Sequence, residues 1–116
     1  MSDVETYVGG LRRREMERDR ARSRLRQRWL AAATQAARIL TDEFGARRVV
    51  LFGSVARGDV HEASDVDLWV EGIAPDRFFE AAGRLVAILP RVSLVPAEAS
   101  HPLLRERALA EGIPLT

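Results

Sequence analysis

Between Leu51 and Val70 the chain reads Leu-Phe-Gly-Ser-Val-Ala-Arg-Gly-Asp-Val-His-Glu-Ala-Ser-Asp-Val-Asp-Leu-Trp-Val. Gly53 and Ser54 close a short apolar run, Arg48 to Phe52, that reads as a buried strand. Gly53 has no side chain, so a ligand oxygen can approach its backbone closely. Ser54 adds a hydroxyl and opens a turn whose free N–H groups favour an anion. Ten residues after Ser54 come Asp65 and Asp67. In a strand they project from one face, about 6.6 Å apart along it. Two ionised carboxylates at that spacing repel unless a divalent cation lies between them. Magnesium suits such a pair, because it takes hard oxygen ligands from one or two carboxylates plus substrate phosphates. The Asp pair also opens a strand that is otherwise Val-Leu-Trp-Val, where unpartnered charge is costly. A phosphate cradle facing a metal-binding Asp pair is the chemistry of nucleotidyl transfer from a nucleoside triphosphate.

These residues need elements to hold them. From Leu11 to Phe44 the chain has no Pro or Gly and is rich in Ala, Arg, Leu and Gln, which predicts a long helix. Trp29, Ala32, Ala33, Ala36, Ile39, Leu40 and Phe44 form its core-facing stripe. Upstream, Arg18, Arg20, Arg22, Arg24, Arg26 and Arg28 step by two and point all round the helix. Residues 1–10 end in Gly9-Gly10 and read as a loose lead-in, and Gly45 supplies the stop. Residues 54–64 read as loop. Asp65 to Glu71 alternates as a strand, with Asp65, Asp67, Trp69 and Glu71 on one face. Pro75 begins a helix carrying Phe78, Ala82, Leu85, Val86 and Leu89, closed by Pro90. Val92 to Val95 is a third strand. Ser100 is expected to cap a last helix with Leu103, Leu104, Ala108 and Leu109 inside. The order α-β-β-α-β-α predicts a mixed α/β (α+β) chain, a small mixed sheet with packed helices.

The composition fits one soluble domain of 116 residues, 47% hydrophobic and 30% charged. No stretch is long and apolar enough to span a membrane, and Cys is absent, which removes disulfides and thiolate chemistry. Five acids in the first 19 residues argue against a leader, so the expected location is the cytoplasm. The net charge of +1 hides an asymmetry: residues 11–28 hold nine Arg and three acids. The remainder holds nine Arg against 14 acids. A basic arm, residues 1–28, therefore precedes a mildly acidic body, residues 29–116.

Gly-Ser, ten residues and Asp-x-Asp, with Ala-Arg-Gly after the Ser and Ser64 before the first Asp, resembles the minimal nucleotidyltransferases of the DNA polymerase β superfamily. The resemblance spans about residues 30–116 and includes the ending from Pro102 to Leu115. It implies a polymerase-β-like fold for residues 29–116. It further implies that Gly53 and Ser54 hold the triphosphate of ATP, that Arg57, Gly58 and Ser64 belong to the same nucleotide site, and that Asp65 and Asp67 are catalytic and bind Mg²⁺. Many members are antitoxins paired with a HEPN-domain toxin, and some transfer AMP from ATP to a toxin tyrosine. The chain departs from the pattern once. The family places a third Asp in a string resembling Arg-Val-Asp-Leu-Val, whereas this chain has Arg91-Val92-Ser93-Leu94-Val95.

Ser93 thus stands where the third catalytic carboxylate belongs, and a Ser is a poor base at neutral pH. Two substitutes are conceivable: Glu71, which lies about 13 Å beyond Asp67 along its strand and is too far without a bend, and Glu98, which follows Pro96 on the lead-in to the last helix. The two readings are an AMP-transferring antitoxin slowed by Ser93 and an antitoxin that neutralises its toxin by binding alone. Trp69 reads as packing rather than as a base-stacking platform, and His61 and His101 as solvated. The Arg-rich arm reads as a solvated helical face; the alternative is a docking element for an acidic toxin surface or, more weakly since aromatics are not interleaved, for RNA.

Overall fold

The computed structural model describes residues 3–59 and 65–116. Its first element, α1 (Asp3–Phe44), is a helix of 42 residues. At about 1.5 Å per residue it accounts for most of the molecule's longest dimension, 67 Å. It starts eight residues earlier than the expected Leu11 and runs through Gly9 and Gly10. Each glycine costs about 1 kcal/mol in a helix relative to Ala. Helix formers on both sides carry the helix through, and Asp3 and Glu5 in the first turn complement its dipole. The far end behaves as expected: the amides of Gly45 and Ala46 take the carbonyls of Thr41 and Leu40.

The strands are β1 (Arg48–Phe52), β2 (Val66–Glu71), β3 (Val92–Pro96) and β4 (Ile113–Pro114). They form a mixed sheet in the order β3-β2-β1-β4. β1 pairs antiparallel with β2 and β4, while β2 pairs parallel with β3. A parallel neighbour needs a crossover. Here a 3-10 turn at Pro75–Arg77 and α3 (Phe78–Val86) supply it. Strand β4 adds to the three strands expected from the sequence. Two residues containing a Pro carry no periodicity, and only the edge of β1 makes them a strand.

Period-two alternation divides the sheet into two faces. Val49 and Leu51 of β1 with Val66, Leu68 and Val70 of β2 form the main core against Ala33, Ala36, Ala37, Leu40 and Phe44 of α1 and Ala81, Leu85 and Leu89 beyond it. The other face is also covered. Val50, Trp69, Ala97 and Ala108 make a second cluster, flanked by Phe52 and Val95, beneath a 3-10 turn (Ala97–Ala99) and α4 (Pro102–Glu111). Trp69 is fully buried there, donates Nε1 to Ser100 Oγ at 3.2 Å, and carries the Arg105 guanidinium 5.6 Å from its ring centroid.

Ser100 is therefore not the cap of α4. Its hydroxyl donates to Ala97 O and accepts from Trp69, and His101 Nδ1 accepts the Leu103 amide at 3.1 Å instead. The apolar positions expected inside α4 are corrected too: Ala108 is buried, whereas Leu103 and Leu109 are exposed.

Candidate active site

The site is assembled by one row of the sheet. Phe52 of β1 pairs with Asp67 of β2, and Asp67 pairs with Ser93 of β3. The next row on that face is Val50, Trp69 and Val95. The apolar second core thus ends where the carboxylate begins, which leaves Asp67 half-buried.

Gly53 follows Phe52 with φ 80° and ψ −155°, a conformation essentially confined to glycine. A Cβ built there would collide with Asp67 Oδ2. The Gly53 backbone therefore lies directly on the Asp67 carboxylate. The segment expected as loop opens instead with α2 (Ser54–Arg57), a single helical turn. Val55 is buried and anchors it, and Gly58 closes it in the left-handed region at φ 87°. Three amides tie the turn: Arg57 N to Gly53 O at 3.1 Å, Gly58 N to Val55 O at 3.2 Å, and Asp59 N to Ser54 O at 2.9 Å. Ser64 and His61 lie outside the described residues.

The electrostatics follow from this packing. Burial raises the Asp67 carboxyl above its ordinary value of 3.8, the charge of Asp65 raises it further, and Arg57 pulls it back in part. Arg57 itself pairs with Asp59 at 3.8 Å. Asp65 is exposed and meets Arg91 Nε at 3.9 Å. A half-buried carboxylate sharpened by a second carboxylate suits a hard divalent cation: the donors are oxygens, and a cation removes the repulsion that loads Asp67. The Gly53 backbone leaves a side-chain-free approach beside them. Asp65 and Asp67 would hold Mg²⁺, which would supply charge neutralisation for triphosphate oxygens.

The structure brings Gly53, Asp67 and Ser93 together, with Ser54, Arg57 and Gly58 on the adjoining turn and Asp65 just ahead of β2. It separates Glu98 from them. Glu98 Oε1 accepts the Gly72 amide at 2.7 Å, at the far end of β2, about 16 Å from Asp67 by strand length. Glu71 points into a contact with Arg47 at 3.9 Å. Sequence reasoning missed Arg91 as the partner of Asp65, although it directly precedes Val92, the register partner of Val66. It also missed Arg26, which reaches the α2 turn from α1.

A family model for the nucleotidyltransferase domain matches residues 33–114. No curated protein sequence matches significantly. Two solved structures are similar. One, provisionally designated a minimal nucleotidyltransferase, is 40% identical, with TM-score 0.59, covering 73% of this chain and 91% of that one. The other, a toxin-antitoxin crystallised with AMP-PNP, is 24% identical, with TM-score 0.62, covering 72% of each chain, and shares the fold. The chain belongs to the nucleotidyltransferase-domain family, with a domain of the minimal type. The matched region begins inside α1, so the helix upstream of residue 33 falls outside it. Among the described residues, no helix is long and apolar enough to cross a membrane.

Proposed function

We propose that the chain is a minimal nucleotidyltransferase-type antitoxin that binds ATP·Mg²⁺ and transfers AMP to a HEPN-domain toxin, with transfer slowed by Ser93. The observation that carries the reading is the Gly53 backbone seated on the Asp67 carboxylate. That contact puts a side-chain-free backbone segment beside a metal-competent oxygen pair, as binding of a triphosphate requires. Family membership supports the reaction class. The toxin-antitoxin that shares the fold was crystallised with AMP-PNP, which supports both the nucleotide and the kind of partner.

In this reading Gly53 and Ser54 hold the triphosphate, while Arg57, Gly58 and Ser64 shape its loop. Asp65 and Asp67 would hold Mg²⁺, whose charge would offset that of the phosphates. An acceptor hydroxyl attacks the α-phosphorus, the bond to the β,γ-pyrophosphate breaks, and pyrophosphate leaves. The hydroxyl proton needs a base, and Ser93 is too weak an acid-base group to take it at neutral pH. The same observation favours a second reading, an antitoxin that neutralises its toxin by binding, with nucleotide held but transferred slowly or not at all.

Calorimetric titration of ATP with and without Mg²⁺ tests the site. Wild type is expected to bind only with Mg²⁺, and the double variant Asp65→Asn, Asp67→Asn to lose binding while staying folded. Unchanged binding in the double variant would sink the metal-site reading. Transfer of radiolabelled AMP to the partner separates the enzyme from the binding-only antitoxin.

A further inference from the structure

The arginines of α1 are not equivalent. Arg22, Arg24 and Arg28 are exposed, whereas Arg26 is half-buried. Counting back from Leu40 and Ala33 by seven reaches Arg26, so it continues the buried stripe of the helix. Its guanidinium spends two donors on one turn of backbone. Nε donates to Val55 O at 3.4 Å and Nη2 to Ala56 O at 3.3 Å, both in α2.

That turn is otherwise closed by three local backbone hydrogen bonds. A four-residue helix fixes several dihedrals for very few bonds and is not stable alone. Of its last carbonyls, Val55 O already accepts the Gly58 amide at 3.2 Å, and Arg26 adds a second bond there and one to Ala56 O. The Val55 side chain pins one point in the core. Arg26 supplies a planar fork that takes two successive carbonyls and puts positive charge at the carboxyl end of the turn, where it is favoured. Gly58 is set by its φ of 87° rather than by Arg26, since a Cβ there would lie at an ordinary contact distance, 3.8 Å, from Arg26 Nε.

We infer that Arg26 is a positioning residue for the Gly53–Gly58 turn, holding it against Asp67 in the orientation that receives the nucleotide. This rests on the nucleotide reading above. It also makes the base of the Arg-rich helix part of the site rather than a mere stalk.

Two measurements on the full chain test it. In ligand-free protein, hydrogen exchange reads the amides of Arg57, Gly58 and Asp59, which close the turn. Arg26→Ala is expected to speed their exchange at least about tenfold while the β1 and β2 amides keep their rates. Arg26→Lys, a single ammonium without the fork, should fall between; Arg28→Ala, at an exposed position, should match wild type. Titration with ATP·Mg²⁺ should show affinity about tenfold weaker in Arg26→Ala, with the midpoint of thermal unfolding little changed. Should Arg26→Ala not fold, Arg26→Gln carries the same comparison with the stem retained. Unchanged exchange in the folded variant overturns the inference, and so does faster exchange with unaltered ATP affinity. If wild type binds no ATP, the nucleotide reading falls and with it the purpose given to the turn, while the hold of Arg26 on the turn is decided by exchange alone.

Discussion

Ser93 sits beside Asp67 in the parallel pairing of β2 and β3. The two residues share a face, and Ser93 is exposed to whatever Asp67 binds. A hydroxyl there contributes no negative charge and accepts no proton at neutral pH.

Restoring the carboxylate is the direct test. Loss of a general base typically costs about 10²- to 10⁴-fold in rate. Ser93→Asp is expected to raise AMP transfer to the partner by at least about tenfold, a cautious part of that range. A radiolabelled-ATP transfer assay on both proteins measures it. Brisk transfer by wild type with no gain in the variant points to another base, and Glu98, bound to the Gly72 amide beyond the far end of β2, is too distant to be that group.

Asp67 makes stability depend on pH. Its carboxyl is raised above 3.8 in the fold, chiefly by burial and then by Asp65. The folded state therefore holds the proton more tightly than the unfolded state. This group's contribution to stability falls as pH rises from 3.8 through the raised value, and the cost is full at neutral pH. In metal-free buffer, Asp67→Asn should unfold at a higher temperature than wild type near neutrality, with the gap closing at about pH 3. Thermal unfolding across that range reads it, and a gap that widens toward acid refutes the burial argument.

Gly53 is the least replaceable residue of the turn. Gly53→Ala adds a Cβ that meets Asp67 Oδ2 at a φ of 80° that L residues rarely adopt. Strain of this kind costs about 1–3 kcal/mol. Denaturant titration should show a loss in that range, together with lost ATP·Mg²⁺ binding. Wild-type stability in the variant would mean that the turn relaxes freely.

The arm divides at Leu25. Residues upstream of it are largely exposed, while Leu25 packs against the core and Arg26 braces α2. Removing residues 1–22 should leave a folded body, because few apolar groups are lost. Partner binding should weaken, with the loss greatest at low salt, as expected of Arg contacts. Removing residues 1–26 should also disturb the turn. Circular dichroism and a pull-down with the partner at low and high salt distinguish the two truncations; equal behaviour would place the division elsewhere.

The strands that flank Gly53 and carry Asp67 are legible in the amino-acid sequence because their patterns are local, whereas the helical turn α2 and the place of Asp65 just ahead of β2 are not. Legible for the same reason are the Ala-rich stripe of α1 and β1 to β3, where neighbours along the chain create the pattern. Features that depend on partners distant in sequence are not legible in this way. Strand β4 exists only as the edge of β1, the cap of α4 passes to His101 because Trp69 claims Ser100, and Trp69 itself is buried by a face whose cover comes about 30 residues later. Likewise six arginines at spacing two are indistinguishable as a list. Docking the helix on the sheet selects Arg26 alone for the turn, since helical phase and tertiary packing together decide which guanidinium meets the Val55 and Ala56 carbonyls.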